Sequence, residues 1–139
     1  MSAFKTLNDH DLELMPHRKR GRLVNALSGF KSVNLIGTTN DDGIHNLSIV
    51  SSVVHLGSDP ALLGMVLRPP VDRERGSHTY WNIRETGCYT INHVPCTHTV
   101  QAHQVSARYP ESKSEFEAVG FTPIYRCGFD APAVEAVSY

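Results

Sequence analysis

Four short polar side chains stand together in an otherwise apolar segment, and their types suit them to holding a ligand. Asn46, Ser48, Ser51 and Ser52 supply amide and hydroxyl groups, which donate and accept hydrogen bonds without carrying charge. The chemistry they favour is therefore hydrogen bonding to a polar ligand. No GxSxG elbow surrounds the serines and no base is identifiable beside them, so neither is predicted to be a nucleophile.

A purely structural role for the same four residues stays open. The alternation of apolar and polar residues fails at residues 49–54, where Ile-Val, Ser-Ser and Val-Val follow one another as like pairs. A bulge or strand break at residues 50–52 resolves the conflict and turns hydroxyls and backbone N–H groups towards one place. Short polar side chains can cap such a break and bind a ligand as well.

A second candidate binding element is the loop that follows, where arginines precede a helix start. Arg68, Arg73 and Arg75 come before Ser77, an N-cap residue for a helix predicted over residues 78–86. A helix N-terminus and guanidinium groups together are what a phosphate group needs. The alternative is an ordinary charged loop, in which the acidic residues at 72 and 74 pair with the arginines.

The elements that must position these residues are mostly short strands. Residues 32–39 predict a strand, residues 40–43 a tight hairpin turn that ends in glycine, and Ile44 the start of the return strand. After a turn at 57–60, the apolar run 61–67 predicts a strand buried on both faces. Further predicted elements are a helix from Pro16 to Gly29, a strand at 88–94, helices at 97–105 and from Ser112 or Ser114 to Gly120, and strands at 121–125 and 131–137.

Composition excludes several classes of function. The 139 residues suit one domain, and a net charge of −1 with dispersed Lys and Arg gives no case for a nucleic-acid partner. No apolar run is long enough to span a membrane and no signal peptide is recognisable, so we expect a cytoplasmic protein. Three cysteines without a CxxC pair and eight histidines without a ligand motif predict neither a disulfide nor a metal site.

Much of the chain, from about Asp11 to about Pro132, resembles the flavin reductase-like family of FMN-binding split barrels. The resemblance implies a mainly β fold with flanking helices, organised as one domain over residues 1–139, with a leader and helix at 1–30 and the split-barrel core at 31–139. Members usually continue with further strands after the segment matching Ala131-Pro132, so the barrel is expected to be incomplete at the C-terminus. The motifs that carry the resemblance are Asn46-Leu47-Ser48, Ser51-Ser52, Asp59-Pro60, Arg68-Pro69-Pro70, His78-Thr79 and Tyr89-Thr90-Ile91-Asn92.

The resemblance also implies a site and an assembly. FMN is the expected cofactor, bound between the subunits of a homodimer, and no catalytic side chain is expected because the flavin itself accepts the hydride. The residues implied to line the ring and ribityl chain are Asn46, Leu47, Ser48, Ser51 and Ser52, with Asn92 nearby, and those implied to hold the phosphate are Arg68, His78 and Thr79.

Three functions remain open at this point. The first is an NAD(P)H-dependent flavin reductase or FMN-containing oxidoreductase, with a monooxygenase or another electron acceptor as its partner. The second is a flavin-binding module that carries electrons or stores FMN without reacting with nicotinamides. The third is a truncated relative that has lost FMN.

Overall fold

The computed structural model describes residues 6–70, 77–110 and 112–137, and it divides the chain into two compact units, residues 1–31 and 32–139. Residues 71–76 are not described, so the predicted contributions of Arg73 and Arg75 to a phosphate loop lie outside the described residues. Along the part of the chain that is described, no helix is long and apolar enough to cross a membrane.

The first unit contains two helices, α1 (Asp9–Glu13) and α2 (His17–Leu27). A capping box begins α1: the Asn8 side chain accepts from the backbone N–H of Asp11 at 2.9 Å, and the Asp11 carboxylate accepts from the backbone N–H of Asn8 at 3.0 Å. The sequence predicted a leader here, and this local capping signal was missed.

The centre of the second unit is a three-stranded antiparallel sheet. Strand β1 (Asn34–Thr39) lies between β2 (His45–Val50) and β5 (Thr90–His93). The β1–β2 hairpin is confirmed: Gly43 adopts φ +79°, and the Asn40 side chain accepts from the backbone N–H of Ile44 at 2.8 Å. The predicted break is also confirmed, since β2 ends at Val50.

The remaining elements flank this sheet or form small sheets of their own. Strands β3 and β4 pair only with each other, as do β6 and β7, so the strands of the described residues form three separate sheets and no closed barrel. The prediction of a mainly β fold with flanking helices is confirmed. These elements are β3 (Val54–Ser58), β4 (Ala61–Gly64), α3 (His78–Thr86), α4 (Thr99–Gln104), α5 (Glu115–Val119), β6 (Pro123–Ile124), β7 (Ala133–Val134) and two 3-10 turns (Cys96–His98 and Glu135–Val137).

The hydrophobic core lies between the three-stranded sheet and the helices α4 and α5. Leu35 and Leu47 from the sheet pack with Phe116 from α5 and Val134 from β7, and all four are almost fully buried. Gly37 in β1 permits a close approach, because a Cβ atom there would collide with the carbonyl oxygen of Pro132. The face of the sheet that carries Leu35 and Leu47 is therefore covered by α5 and by the segment around β7. Strand β2 lies at one edge of this sheet.

The prediction of a strand at 61–67 buried on both faces is wrong. Strand β4 covers only Ala61–Gly64, and Leu62 and Leu63 are 50% and 55% exposed. Its partner β3 is likewise exposed, with Leu56 at 65%. The reason is that the β3–β4 hairpin is a separate two-stranded sheet, and none of its residues belongs to the hydrophobic core formed by the described part of the chain. An apolar run in the sequence indicates side chains that are more stable when buried, but it does not show whether the same chain or another chain buries them.

Candidate functional site

A pocket of about 420 Å³ lies along the outer side of β2. Such a volume falls in the range of small-molecule sites, about 300–1,000 Å³. Its walls come from β2, from the start of α3, from the segment after α4 and from the start of α5. The lining residues are Asn46, Leu47, Ser48, Ile49, Ser77, His78, Thr79, Val105, Ser106, Ala107, Arg108, Tyr109 and Glu115.

One edge of β2 is free to face this pocket because, among the strands that the structure describes, β2 pairs only with β1. The pairing brings Gly37 opposite Leu47 and Ile36 opposite Ser48. The backbone N–H of Leu47 points away from β1 and donates to a carboxylate oxygen of Glu115 at 3.0 Å. Backbone polar groups of the pocket edge are therefore available to a side chain or a ligand instead of a neighbouring strand.

Two of the predicted site residues, Asn46 and Thr79, are hydrogen-bonded to each other. The Asn46 amide donates to the Thr79 hydroxyl at 2.8 Å and to the Thr38 hydroxyl at 3.2 Å, and Asn82 donates to the same Thr38 hydroxyl at 3.1 Å. All four side chains are buried, so water competes little for these hydrogen bonds. This network fixes the first turn of α3 against β1 and β2, and thereby holds two walls of the pocket together.

The start of α3, where the helix dipole is positive, lies at the pocket. Ser77 is the N-cap residue, as predicted, but its side chain makes no capping hydrogen bond, and the first turn contains no acidic residue. The backbone N–H groups of His78 and Thr79 have no acceptor within the helix, as in any first turn. Because the helix dipole adds to these donors, this end of the pocket suits an anionic group.

Glu115 is the most deeply buried ionisable group of the pocket, at 7% exposed. Burial raises the pKa of its carboxyl group, while the hydrogen bonds from Leu47 and from its own backbone, and the nearby His78, act in the opposite direction. Arg108 belongs to the same pocket and is exposed. The site therefore combines the buried carboxyl group of Glu115 with the cationic side chain of Arg108 nearer the solvent.

Ser48 contributes a hydroxyl group that has no partner. Its oxygen is buried and makes no hydrogen bond with any residue that the structure describes. An unpaired buried hydroxyl costs stability, about 1–3 kcal/mol, unless a ligand or water satisfies it. Its place in the pocket wall is consistent with a binding role.

The structure brings five of the nine predicted site residues to this pocket and leaves four outside its lining. Asn46, Leu47, Ser48, His78 and Thr79 line it; Ser51, Ser52, Arg68 and Asn92 do not. Ser51 and Arg68 are exposed. The Ser52 hydroxyl donates to the carbonyl oxygen of Val66 and accepts from its N–H, both at 3.1 Å, so it ties the segment after β2 to the segment after β4.

Asn92 lies at a different pocket, of about 330 Å³, between β5 and the residues around Phe129. Its amide donates to the carbonyl oxygen of Leu35 at 3.1 Å and to Thr90 at 2.9 Å, and its oxygen accepts from the N–H of Val134 at 2.9 Å. The side chain therefore joins β1, β5 and β7.

Sequence reasoning missed Glu115 and Arg108. Glu115 follows Ser114 at the start of a short helix, where an acidic residue has an ordinary explanation in the helix dipole. Its contact with Leu47 spans 68 residues of sequence, and no local pattern announces a contact of that kind. Arg108 lies in a segment without periodicity, so only the folded chain shows that it reaches the same pocket.

Comparison with known proteins gives a consistent result. The model of the flavin reductase like domain matches residues 27–139. A provisionally assigned flavin reductase with a split-barrel domain from Shewanella frigidimarina NCIMB 400 is similar in structure, with a TM-score of 0.88 and 49% sequence identity over 96% of this chain. The prediction of a split-barrel fold is thereby confirmed. No curated protein sequence matches the chain significantly.

Two further solved structures resemble the chain at lower identity. Nitrilotriacetate monooxygenase component B from Bacillus cereus has a TM-score of 0.79 at 17% identity over 99% of this chain, which shows the fold alone. Flavoredoxin of Desulfovibrio vulgaris (Miyazaki F) has a TM-score of 0.67 at 25% identity over 76% of this chain. The chain spans 65% of the Shewanella and Bacillus proteins and 54% of flavoredoxin.

Proposed function

The chain belongs to the flavin reductase-like domain family, and we propose that it binds FMN in the pocket beside β2 and acts as an oxidoreductase with NAD(P)H. The observation that carries this proposal is the pocket itself, where an edge strand and the start of a helix meet around an unpartnered hydroxyl, that of Ser48. Hydrogen-bonding groups for a polar ligand and an anion site for its phosphate therefore occur together.

The phosphate end of FMN fits the start of α3. In this proposal the backbone N–H groups of His78 and Thr79 bind the phosphate, and Arg68 contributes a cation from the preceding loop. The Thr79 hydroxyl accepts from Asn46 and keeps its own hydrogen to donate, so Thr79 offers a hydroxyl donor beside its backbone N–H. Buried amide donors and an exposed guanidinium are a common combination in phosphate sites.

The remainder of the flavin fits the outer edge of β2. Leu47 and Ser48 offer a backbone edge and a free hydroxyl, and Ser51 follows immediately where the strand has ended. The amide N–H groups of Asn46, the hydroxyl of Ser52 and both polar atoms of the Asn92 side chain are occupied by hydrogen bonds within the protein. We propose that these three support the flavin site by positioning the strands around it.

The chemistry needs little from the protein beyond this placement. A bound flavin accepts a hydride equivalent from a reduced nicotinamide at its own ring. The chain's part is to hold the ring, keep one face accessible and satisfy its polar edge. We accordingly assign no catalytic side chain.

We further propose that the protein is a cytoplasmic homodimer that passes electrons to a monooxygenase or another acceptor. The support for the dimer is the exposed apolar β3–β4 hairpin, with Leu56, Leu62 and Leu63 each at least half exposed in the single chain. A second subunit would remove this surface from water, at about 25 cal/mol per Å² of apolar area.

An electron carrier is the second candidate function, favoured by the likeness to flavoredoxin. Anaerobic addition of NADH or NADPH to the FMN-loaded protein separates the two. The reductase proposal expects the visible flavin absorption to bleach within seconds to minutes with one of the nicotinamides. A protein that holds FMN, is not bleached by either nicotinamide, but is bleached by dithionite is a carrier, and the reductase proposal then fails.

A further inference from the structure

The contact of Glu115 with β2 uses only one of its two carboxylate oxygens. One carboxylate oxygen, Oε2, accepts from the N–H of Leu47. The other, Oε1, accepts no hydrogen bond from a different residue among those described, and it is not one of the fully buried unsatisfied atoms. Glu115 lines both this pocket and the small cavity adjoining it, so its carboxylate belongs to the pocket wall.

A carboxylate oxygen in this place selects ligands that offer hydrogen-bond donors. Ionised, the carboxylate has only acceptor capacity, so it pairs with an N–H or O–H group. No cation forms an ion pair with it within the described chain, although His45, His78, Arg108 and Lys113 are the basic residues that line the pocket or the small adjoining cavity. The acceptor is therefore left for the ligand.

The position of Glu115 decides which donor it meets. It shares the pocket with His78 and Thr79, the residues proposed above to bind the phosphate of FMN. The groups of FMN that lie next to the phosphate are the hydroxyls of the ribityl chain. Each of these hydroxyls can donate one hydrogen bond, and carboxylates commonly bind sugar hydroxyls in nucleotide sites.

We propose that Glu115 is a flavin-binding residue whose free carboxylate oxygen accepts a hydrogen bond from a ribityl hydroxyl group. The proposal rests on the proposed function, namely FMN in the pocket beside β2. Glu115 then discriminates between ligands, because flavins with a polyol chain bind better than flavins without one. The Leu47 N–H serves to orient the carboxylate for this contact.

The nearby phosphate does not conflict with a carboxyl group here. The positive end of α3, His78 and Arg108 lie around the same pocket and offset negative charge. Burial raises the pKa of Glu115, but the hydrogen bond from Leu47 and the nearby His78 favour the ionised carboxylate that the proposed contact uses.

Three flavins separate the contributions of the phosphate group and of the ribityl chain to binding. FMN has the phosphate and the ribityl chain, riboflavin has the chain alone, and lumiflavin has a methyl group in place of the chain. Each is titrated into the wild type, Glu115→Ala and Glu115→Gln, with flavin fluorescence as the readout. Glu117→Gln is the matched control, because Glu117 lies on the same helix and is exposed.

We expect Glu115→Ala to weaken FMN and riboflavin about 10- to 100-fold, the range of a charge-assisted hydrogen bond, and to leave lumiflavin unchanged. Glu115→Gln keeps an acceptor oxygen for Leu47 and places an NH2 group where the free oxygen was. This group can only donate to a ribityl hydroxyl, and the neutral bond is weaker, so the same two flavins should weaken about 3- to 10-fold. Should Glu115→Ala fail to fold, the glutamine variant decides alone. Glu117→Gln should match the wild type.

Two results would overturn the inference. An equal loss for all three flavins means that Glu115 only maintains the pocket, and an unchanged affinity for riboflavin in both variants removes the hydroxyl contact. In both cases FMN still binds the wild type, so the proposed function survives. A wild type that binds none of the three flavins refutes the proposed function and this inference together.

Discussion

The carboxyl group of Glu115 links the stability of the protein to pH. Burial raises its pKa above the ordinary carboxyl value. Between the ordinary and the raised value the folded state holds more protons than the unfolded state, so the free energy of unfolding decreases as the pH rises through this window. The contribution of the protonated form is complete below the window and is lost above it.

Glu115→Gln isolates this effect because glutamine keeps an acceptor for the Leu47 N–H and cannot ionise. We expect the stability of the variant relative to the wild type to increase as the pH rises through the window and to stay constant above it. Urea denaturation at a series of pH values measures the difference. A difference that does not vary with pH, or one that decreases with rising pH, would contradict the raised pKa.

Arg68 carries a prediction about the phosphate. If it binds the phosphate of FMN, Arg68→Ala loses a charge-assisted hydrogen bond of about 1.5–3 kcal/mol, which is about one to two orders of magnitude in affinity. Riboflavin lacks the phosphate and should bind the variant and the wild type almost equally. Titration of both flavins into both proteins tests this, and an equal loss for the two, or none for FMN, removes Arg68 from the site.

At the scale of elements, the position of β1 depends on the absence of a side chain at residue 37. A Cβ atom at Gly37 would collide with the Pro132 carbonyl oxygen and lie 2.6 Å from the Thr90 hydroxyl oxygen. Because β1 is the central strand, neither it nor β5 can shift without breaking the sheet. We expect Gly37→Ala to destabilise the protein by about 1–3 kcal/mol or more.

Gly21 provides the matched control for that substitution. It lies within α2, and a Cβ atom there meets nothing within 4 Å. Gly21→Ala should therefore stabilise its helix by about 0.5–1 kcal/mol, from helix propensity alone. Thermal and urea unfolding of both variants measure the contrast. Equal effects at the two positions would mean that the close approach at Gly37 is not what glycine provides there.

Local chemistry explains which elements could be predicted from the sequence. The β1–β2 hairpin follows from a glycine that supplies positive φ, and α3 ends at Gly87, which has φ +68° as a left-handed cap. The helix α1 was missed because its five residues have no apolar face to reveal it. Signals within one element are readable in sequence, but weak and short elements are not.

The site was predicted only in part, because many of its contacts join residues that are far apart in the sequence. The resemblance named the β2 and α3 residues that line the pocket. The partners that occupy Asn46 and Asn92, namely Thr38, Thr79, Leu35 and Val134, come from other elements. Whether a polar side chain faces a ligand or a neighbouring strand is decided by such tertiary contacts, and sequence patterns do not contain them.

At the scale of the whole molecule, the exposed hairpin predicts how two copies assemble. Leu63 is 55% exposed on β4, and burying it in a second subunit would remove it from water. Leu63→Glu places a charge in that proposed interface and should convert a dimer to a monomer, because an unpaired buried charge is costly. Sedimentation velocity measures the change. A wild type that sediments as a monomer would refute the dimer.

The specificity of that test depends on a control at an exposed apolar residue elsewhere. Val100 on α4 is 74% exposed and lies away from the hairpin in sequence. Val100→Glu should leave the sedimentation coefficient unchanged. Loss of the dimer in both variants would show that any added charge disrupts assembly, and the hairpin would no longer be assigned as the interface.

The central claim is that a flavin binds in the pocket beside β2, and a pocket-blocking substitution tests it most directly. Ala107 lines this pocket and is exposed, so Ala107→Trp should narrow the pocket while the fold is kept; Ala26→Trp on α2 is the control. FMN is titrated into each protein and followed by flavin fluorescence. We expect saturation at one FMN per chain for the wild type and the control, and affinity lowered at least tenfold for Ala107→Trp. Absence of FMN binding by the wild type, or equal binding by all three proteins, would contradict the account.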